Sequence, residues 1–207
     1  MARTVSTEPR KSASQERSRL MVETLLDATA RVLVQDGYDK ASTNRIAAVA
    51  GVSIGSLYQY FPNKEALVAG LVGRHARELL DLMRKAIADV AAHDLETSVR
   101  LLVRAMVDAH RVDPVLHRIF DEQVPRMGQL AEIEALEREE AALVRSYFDQ
   151  HRNEIGVTDL DMAIFICTTS VEALTHELVL RRPDPGDERI AGYVDEITRL
   201  VVRYLKG

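Results

Sequence analysis

A single cysteine, Cys167, is all the thiol chemistry in this chain of 207 residues. That excludes an intramolecular disulfide framework, and with it a structural zinc site built from several cysteines. A lone cysteine fits a reducing cytoplasm, the location expected here. No run approaches the roughly 18 uncharged apolar residues of a membrane span, so no transmembrane helix and no membrane partner are expected. The arginines near the N-terminus are followed by no apolar run, so this end does not read as a secretory signal. No convincing strand and no internal repeat are visible. What remains is 46% hydrophobic and 29% charged, an ordinary globular composition with enough length to bury a sizeable core.

One further absence is local. The net charge of −5 argues globally against a nucleic-acid partner, but it is unevenly spread. Residues 1–64 hold nine basic against six acidic side chains, or +3, and residues 65–207 hold eighteen against twenty-six, or −8. Between Ala41 and Lys64 there is no acid at all. Phosphate binding needs a positive face, not a positive protein.

The pattern is helical almost throughout. Residues 1–16, rich in Ser, Thr and Arg, read as a flexible arm. Val22, Leu25, Leu26, Thr29, Val32 and Leu33 follow helical spacing, and Gly37 is expected to stop that helix. Ser42 or Thr43 can cap a second helix that ends at Gly51, and Ser53 a third that ends before Pro62. Asn63 caps a long fourth helix and Asp94 a fifth. Asp113-Pro114 opens a short sixth, broken by Pro125 and Gly128. A polar helix follows over roughly 129–153, then a very apolar one from Asp159. A loop at 182–187 precedes the last helix, whose apolar positions include Ile197, Val201 and Leu205. The expectation is an all-α chain of about nine helices. A helix-turn-helix unit is expected over 17–64 and a larger helical domain over 65–207.

Residues 42–64 carry most of the functional information. Small residues at Ala47 and Ala50 let two short helices approach, and Gly51 supplies the turn between them. The second helix presents Ile54, Gly55, Ser56, Gln59 and Tyr60, free of bulk and of negative charge. The segment resembles the TetR-type transcriptional regulator family. The resemblance rests on Asp36-Gly37-Tyr38, Thr43, Ile46-Ala47, Ala50-Gly51-Val52-Ser53, Gly55, Leu57-Tyr58, Tyr60-Phe61 and Asn63-Lys64-Glu65-Ala66-Leu67. It spans about 50 residues and implies an N-terminal DNA-binding unit and a divergent C-terminal domain that binds an effector and dimerises. It further implies Thr43 on phosphate, Asn44 near phosphate or a base edge, and Ile54 and Gly55 at base edges. Ser56 would meet phosphate or base, Tyr58 and Tyr60 would donate hydroxyls to phosphates, and Lys64 would meet phosphate. Gln59 shares that face, and Arg45, Arg17 and Arg19 are further phosphate candidates. Leu57 and Phe61 read as core.

Rival chemistries are less well supported. Gly51-Val52-Ser53-Ile54-Gly55 matches a nucleophile-elbow pattern, but that motif needs a strand before the serine, and here a helix precedes it. Ser53 is a cap, and no enzyme is expected. His110 and His117, with Asp113, Asp121 and Glu122 nearby, form no compact ligand motif. His176-Glu177 lacks a second histidine at the needed spacing, so neither metal nor cofactor is expected. A helical interaction module without DNA affinity would not need hydroxyls and Lys64 around an acid-free helix.

The expected assembly is a homodimer on a near-palindromic double-stranded operator, paired through the last two helices. The eighth is too apolar for a free surface, and Ile197, Val201, Tyr204 and Leu205 would give the ninth a partner face. For the effector, Met106, His110, Phe120, Met127, Tyr147, Phe148, Phe165, Cys167 and Thr168 mix apolar bulk with a few polar atoms, as pockets between helices do. A small, largely apolar effector that releases a repressor from DNA is the resulting expectation.

Overall fold

The computed structural model describes residues 16–127, 131–181 and 186–207. The expected arm lies almost wholly outside the described residues, as do Gly128 and most of the 182–187 loop. The described residues form α1 (Glu16–Lys40), α2 (Thr43–Ala50), α3 (Ile54–Tyr60), α4 (Lys64–Val90) and α5 (Leu95–Arg111), then α6 (Pro114–Met127), α7 (Ala131–Gln150), α8 (Leu160–Leu180) and α9 (Asp187–Lys206). A single 3₁₀ turn, Arg152–Glu154, follows α7. No strand occurs among the described residues.

The chain forms two compact units. One comprises the described residues up to Ala76 with those of 115–134, the other 77–114 with the described part of 135–207. The sequence boundary at Lys64 marks the end of the helix-turn-helix, whereas the first unit runs on through the opening turns of α4 and takes in most of α6. Its core gathers Leu25, Leu26, Val32 and Leu33 of α1, Ile46 of α2, Leu57 of α3, Leu67 and Leu71 of α4, and Phe120 of α6. Arg74 of α4 ties itself to α1 through Glu23 at 2.9 Å and Asp27 at 2.7 Å. The second core is built from α5, α7, α8 and α9, with Val103, Val107, Tyr147, Phe148, Cys167, Ile197 and Val201 buried in it.

Local signals set the element ends. Ser42 accepts from the Arg45 N–H, Ser53 from Ser56, Asn63 from Ala66, Asp94 from Thr97 and Asp159 from Met162. The regular helix of α1 is interrupted at Gly37, as expected, by a non-helical φ of 74° and ψ of 166°, and a short helical turn follows it to Lys40. One ending differs from expectation. α6 is not cut at Pro125; it continues to Met127, because a proline so close to a helix end forfeits one backbone bond with little ladder beyond it to lose.

α9 also turns differently from its expected role. Ile197, Val201 and Leu205 are buried within the second unit, where α5 packs on α9, so they are not available to a partner. The outward apolar residues are Leu200 of α9 and Met162, Phe165 and Leu174 of α8. α8 has a mean hydropathy of 1.4 over its most apolar 18-residue window, of which only 28% is buried. By length and composition it could cross a membrane, a property that counting uncharged runs missed because Glu172 and Glu177 interrupt it.

Two carboxylates support the start of α5. The Thr97 N–H and hydroxyl hold the Asp94 carboxyl below its usual range. His151, at 2.9 Å, and the Leu95 N–H, at 3.0 Å, do the same for Glu154. A carboxyl that is more acidic folded than unfolded stabilises the fold above the ordinary carboxylate pKa, and that contribution is lost as pH falls through the folded value. Urea midpoints are therefore expected to hold near neutrality and drop steeply below about pH 4. Asp94→Asn, which keeps a capping side chain but no titration, is expected to flatten that drop.

Candidate nucleic-acid interface

The turn between α2 and α3 is built by Gly51. At φ 69° and ψ 28° it adopts the left-handed conformation, and the Val52 N–H closes on the Ala47 carbonyl at 3.0 Å. This fixes α3 against α2 with Leu57 buried between them and the opposite side of α3 open. On the open side Ile54 is 36% and Tyr58 39% accessible, and Gly55 and Gln59 are exposed beside them. Asn44 and Arg45 are exposed on α2.

The structure brings Thr43 and Tyr58 together. Their hydroxyls lie 3.1 Å apart across the two helices, forming one polar point at the edge of the acid-free face. Ser56 is half-buried, its Oγ 2.8 Å from that of the capping Ser53. Gly55 is bare for no internal reason. A Cβ built there would meet only the Ser53 Oγ at 3.8 Å, an ordinary contact, so neither the fold nor the backbone angle demands glycine.

Two cations are already engaged. Arg45 Nε donates to Asp36 at 3.2 Å, with both side chains substantially exposed. Lys64 Nζ donates to the Tyr38 carbonyl at 2.8 Å and sits 4.2 Å from the centre of the Tyr38 ring. An ammonium has three donors, so this anchor positions Lys64 without exhausting it. Asp36 and Tyr38 were visible in sequence only as part of the resemblance, and their holding roles emerge from the contacts. Tyr60 is placed otherwise than expected. It is only 8% accessible, with its ring in the first core, so it supports α3 from behind. Leu57 and Phe61 are core, as expected.

The expected effector residues are divided between the two units. His110, Tyr147, Phe148 and Cys167 are buried in the second unit and Met106 is half-buried there. Phe120 belongs to the other core, against His75. Phe165 is 64% accessible and Thr168 is also exposed, its hydroxyl returned to the Ile164 carbonyl, so both lie outside any interior pocket of the chain. The side chain of Met127 lies outside the described residues. Burial pushes the Tyr147 phenol up to about 12 and the Cys167 thiol up to about 11, which leaves both neutral and the thiol unreactive.

An all-helical chain whose N-terminal unit offers an acid-free helix-turn-helix face is a DNA-binding regulator by architecture. Residues 25–71 match the bacterial regulatory proteins of the tetR family, and residues 94–205 match the tetracyclin repressor-like C-terminal domain. The chain belongs to the TetR family of transcriptional regulators. It is 31% identical to an HTH-type transcriptional regulator of Mycobacterium tuberculosis over 178 residues, covering 85% of this chain and 83% of that one. It is 29% identical to the HTH-type transcriptional activator FasR of Mycolicibacterium smegmatis, over 82% of this chain and 78% of that one. The fold matches a TetR-family regulator from Mesorhizobium loti with a TM-score of 0.74 and 19% identity, covering 91% of this chain and 98% of the other.

Proposed function

We propose that this regulator works as a cytoplasmic homodimer on a near-palindromic duplex operator, and that a small, largely apolar effector bound in the 65–207 region lowers its DNA affinity. The observation that carries the DNA reading is the open side of α3, where Ile54, Gly55 and Gln59 stand exposed beside the Thr43–Tyr58 hydroxyl pair. Thr43, Tyr58 and Lys64 are assigned to phosphates, Arg45 to a phosphate it reaches by leaving Asp36, and Asn44, Ile54, Gly55, Ser56 and Gln59 to the groove. Ile54 has no hydrogen-bonding group and suits a thymine methyl. Tyr60 is left out because its ring is buried.

A single seven-residue recognition helix reads few base pairs, so two-fold pairing supplies the rest. The surface favouring a second copy is the exposed apolar part of α8 with Leu200 of α9. Sedimentation at micromolar concentration is expected to give a dimer, and a monomer there would remove this assembly. The apolar character of the effector rests on Tyr147, Phe148, Cys167 and Met106, which bring few fixed charges to the second unit. FasR is named an activator, so the sign of regulation is tested directly. In vitro transcription from the operator is expected to fall when the protein is added and recover with effector, and stimulation would make it an activator.

The contact assignments separate by their dependence on sequence. Tyr58→Phe is expected to weaken binding to every duplex by about threefold to tenfold, the worth of one hydrogen bond. Ile54 substitutions are expected to change the base preferred in a selection from random duplexes. An unchanged preference across Ile54 variants would remove its readout role.

A further inference from the structure

Between Ala41 and Lys64 the chain carries only two cations, Arg45 and Lys64. Both are held from one short stretch of α1, by the residues on either side of the kink at Gly37. Tyr38 holds Lys64 with a carbonyl at 2.8 Å and a ring centred 4.2 Å away. Neither holder is charged, so the lysine keeps its attraction for a phosphate. Asp36 holds Arg45 with a carboxylate, Nε to Oδ2 at 3.2 Å, so the charge of the arginine is offset where it stands. The segment is acid-free in sequence but not in space, because α1 brings one carboxylate to it. We propose that Asp36 is an affinity-setting residue of the interface: it stands in for a DNA phosphate, competes with the duplex for Arg45 and restrains binding to DNA of every sequence. This role rests on the reading of α2 and α3 as the DNA-binding face and on the assignment of Arg45 to a phosphate.

A competitor must hold its cation in the free protein and yield it to the duplex. The pair meets both conditions. A carboxylate and a phosphate offer a guanidinium the same kind of anionic oxygen. Asp36 engages Arg45 through Nε, one of the five guanidinium donors, and not through a two-pronged fork. The two side chains are 50% and 30% accessible, so water and salt screen the bond and exchange needs no unpacking of the core. Exposed pairs of this kind shift an equilibrium by only about twofold to fivefold. A phosphate contact offers more, since each charge neutralised on the duplex also releases condensed counterions. The Arg45 backbone stays fixed during the exchange, because its N–H donates to the capping Ser42 Oγ at 3.3 Å. Once the arginine leaves, the Asp36 carboxylate stands unpaired beside a polyanion, which adds repulsion. Both effects have the same sign, and both lower affinity. Sequence spacing does not show this contact, because Asp36 and Arg45 lie on different helices.

The test is fluorescence anisotropy of the full chain on two labelled duplexes, one selected from a random pool and one of random sequence. Asp36→Asn keeps the size of the side chain and removes its charge. It is expected to tighten binding to both duplexes by about threefold to fivefold at low salt. Asp36→Ala, which keeps no acceptor at all, is expected to gain as much. Arg45→Gln is expected to weaken both complexes and to flatten the slope of log affinity against log salt by about 0.9, the worth of one phosphate. In the Arg45→Gln background Asp36→Asn is expected to gain less than about twofold, because the competition is gone. Asp39→Asn removes an exposed acid close by in sequence and is expected to leave affinity almost unchanged. Melting of each variant shows that it folds. Equal gains with and without Arg45, an Asp39→Asn gain as large as that of Asp36→Asn, or no gain from Asp36→Asn overturns the proposal. Tyr58→Phe separates this outcome from failure of the DNA-face reading. If it weakens binding while Asp36→Asn does not tighten it, only the role of Asp36 falls. If neither variant changes binding, the DNA lies elsewhere and both readings fall.

Discussion

Gly156→Ala is expected to destabilise the chain by about 3 kcal/mol, because the added methyl has nowhere to go. A Cβ at this position would stand 2.4 Å from the Lys206 carbonyl oxygen, an approach that only movement of the backbone relieves. That movement also loosens two hydrogen bonds, since the Gly156 N–H and the Val157 N–H both donate to the Leu205 carbonyl, at 2.8 and 3.3 Å. The segment after α7 is thereby pinned to the last turn of α9, whose Leu205 is fully buried. For a chain of this length the loss corresponds to a melting temperature lower by about 6–12 °C. Thermal unfolding of the variant tests this, and a melting point equal to the parent's would mean that the end of α9 yields without cost.

Gly55→Asp is expected to do the reverse, leaving the fold intact while removing DNA binding. There is room for the side chain beside Ser53, and a carboxylate in the first turn of α3 is favourable for the helix. Against duplex DNA the same carboxylate meets phosphate and base-edge acceptors, on a helix that has no acid of its own. The expected loss is about 100-fold or more in affinity, the scale of a like-charge juxtaposition at a tight interface. Fluorescence anisotropy with a labelled operator measures it, and Gly55→Ala separates size from charge. A Gly55→Asp protein that binds as tightly as its parent would place the DNA elsewhere.

The parts of the fold that were readable in the sequence are those decided within a few residues. The caps at Ser42, Ser53, Asn63, Asp94 and Asp159 are bonds between a residue and one three positions on, and Gly51 acts at its own φ. Leu57 and Phe61, read as core, are buried. Periodicity did less well for α8, where nearly every position is apolar and spacing cannot say which side faces inward. Phe165 and Thr168 were read as lining a pocket, and both are exposed. The stripe of α9 was legible as apolar, but its partner was not, and α5 occupies the place expected for a second copy. Tyr60 shows the same limit at one residue, since a tyrosine four positions from Ser56 fits either side of so short a helix.

Nothing between Ala41 and Lys64 is a carboxylate or an imidazole, so the face assigned to DNA keeps the same charge between about pH 5 and 8. Its affinity is governed by ionic strength, through the counterions that phosphate contacts release. A pH titration of DNA binding at fixed salt is then silent about the contacting surface itself. Any response it shows originates away from that surface, and in either unit, since His75 and His117 belong to the unit that carries the helix-turn-helix and the other four histidines to the second.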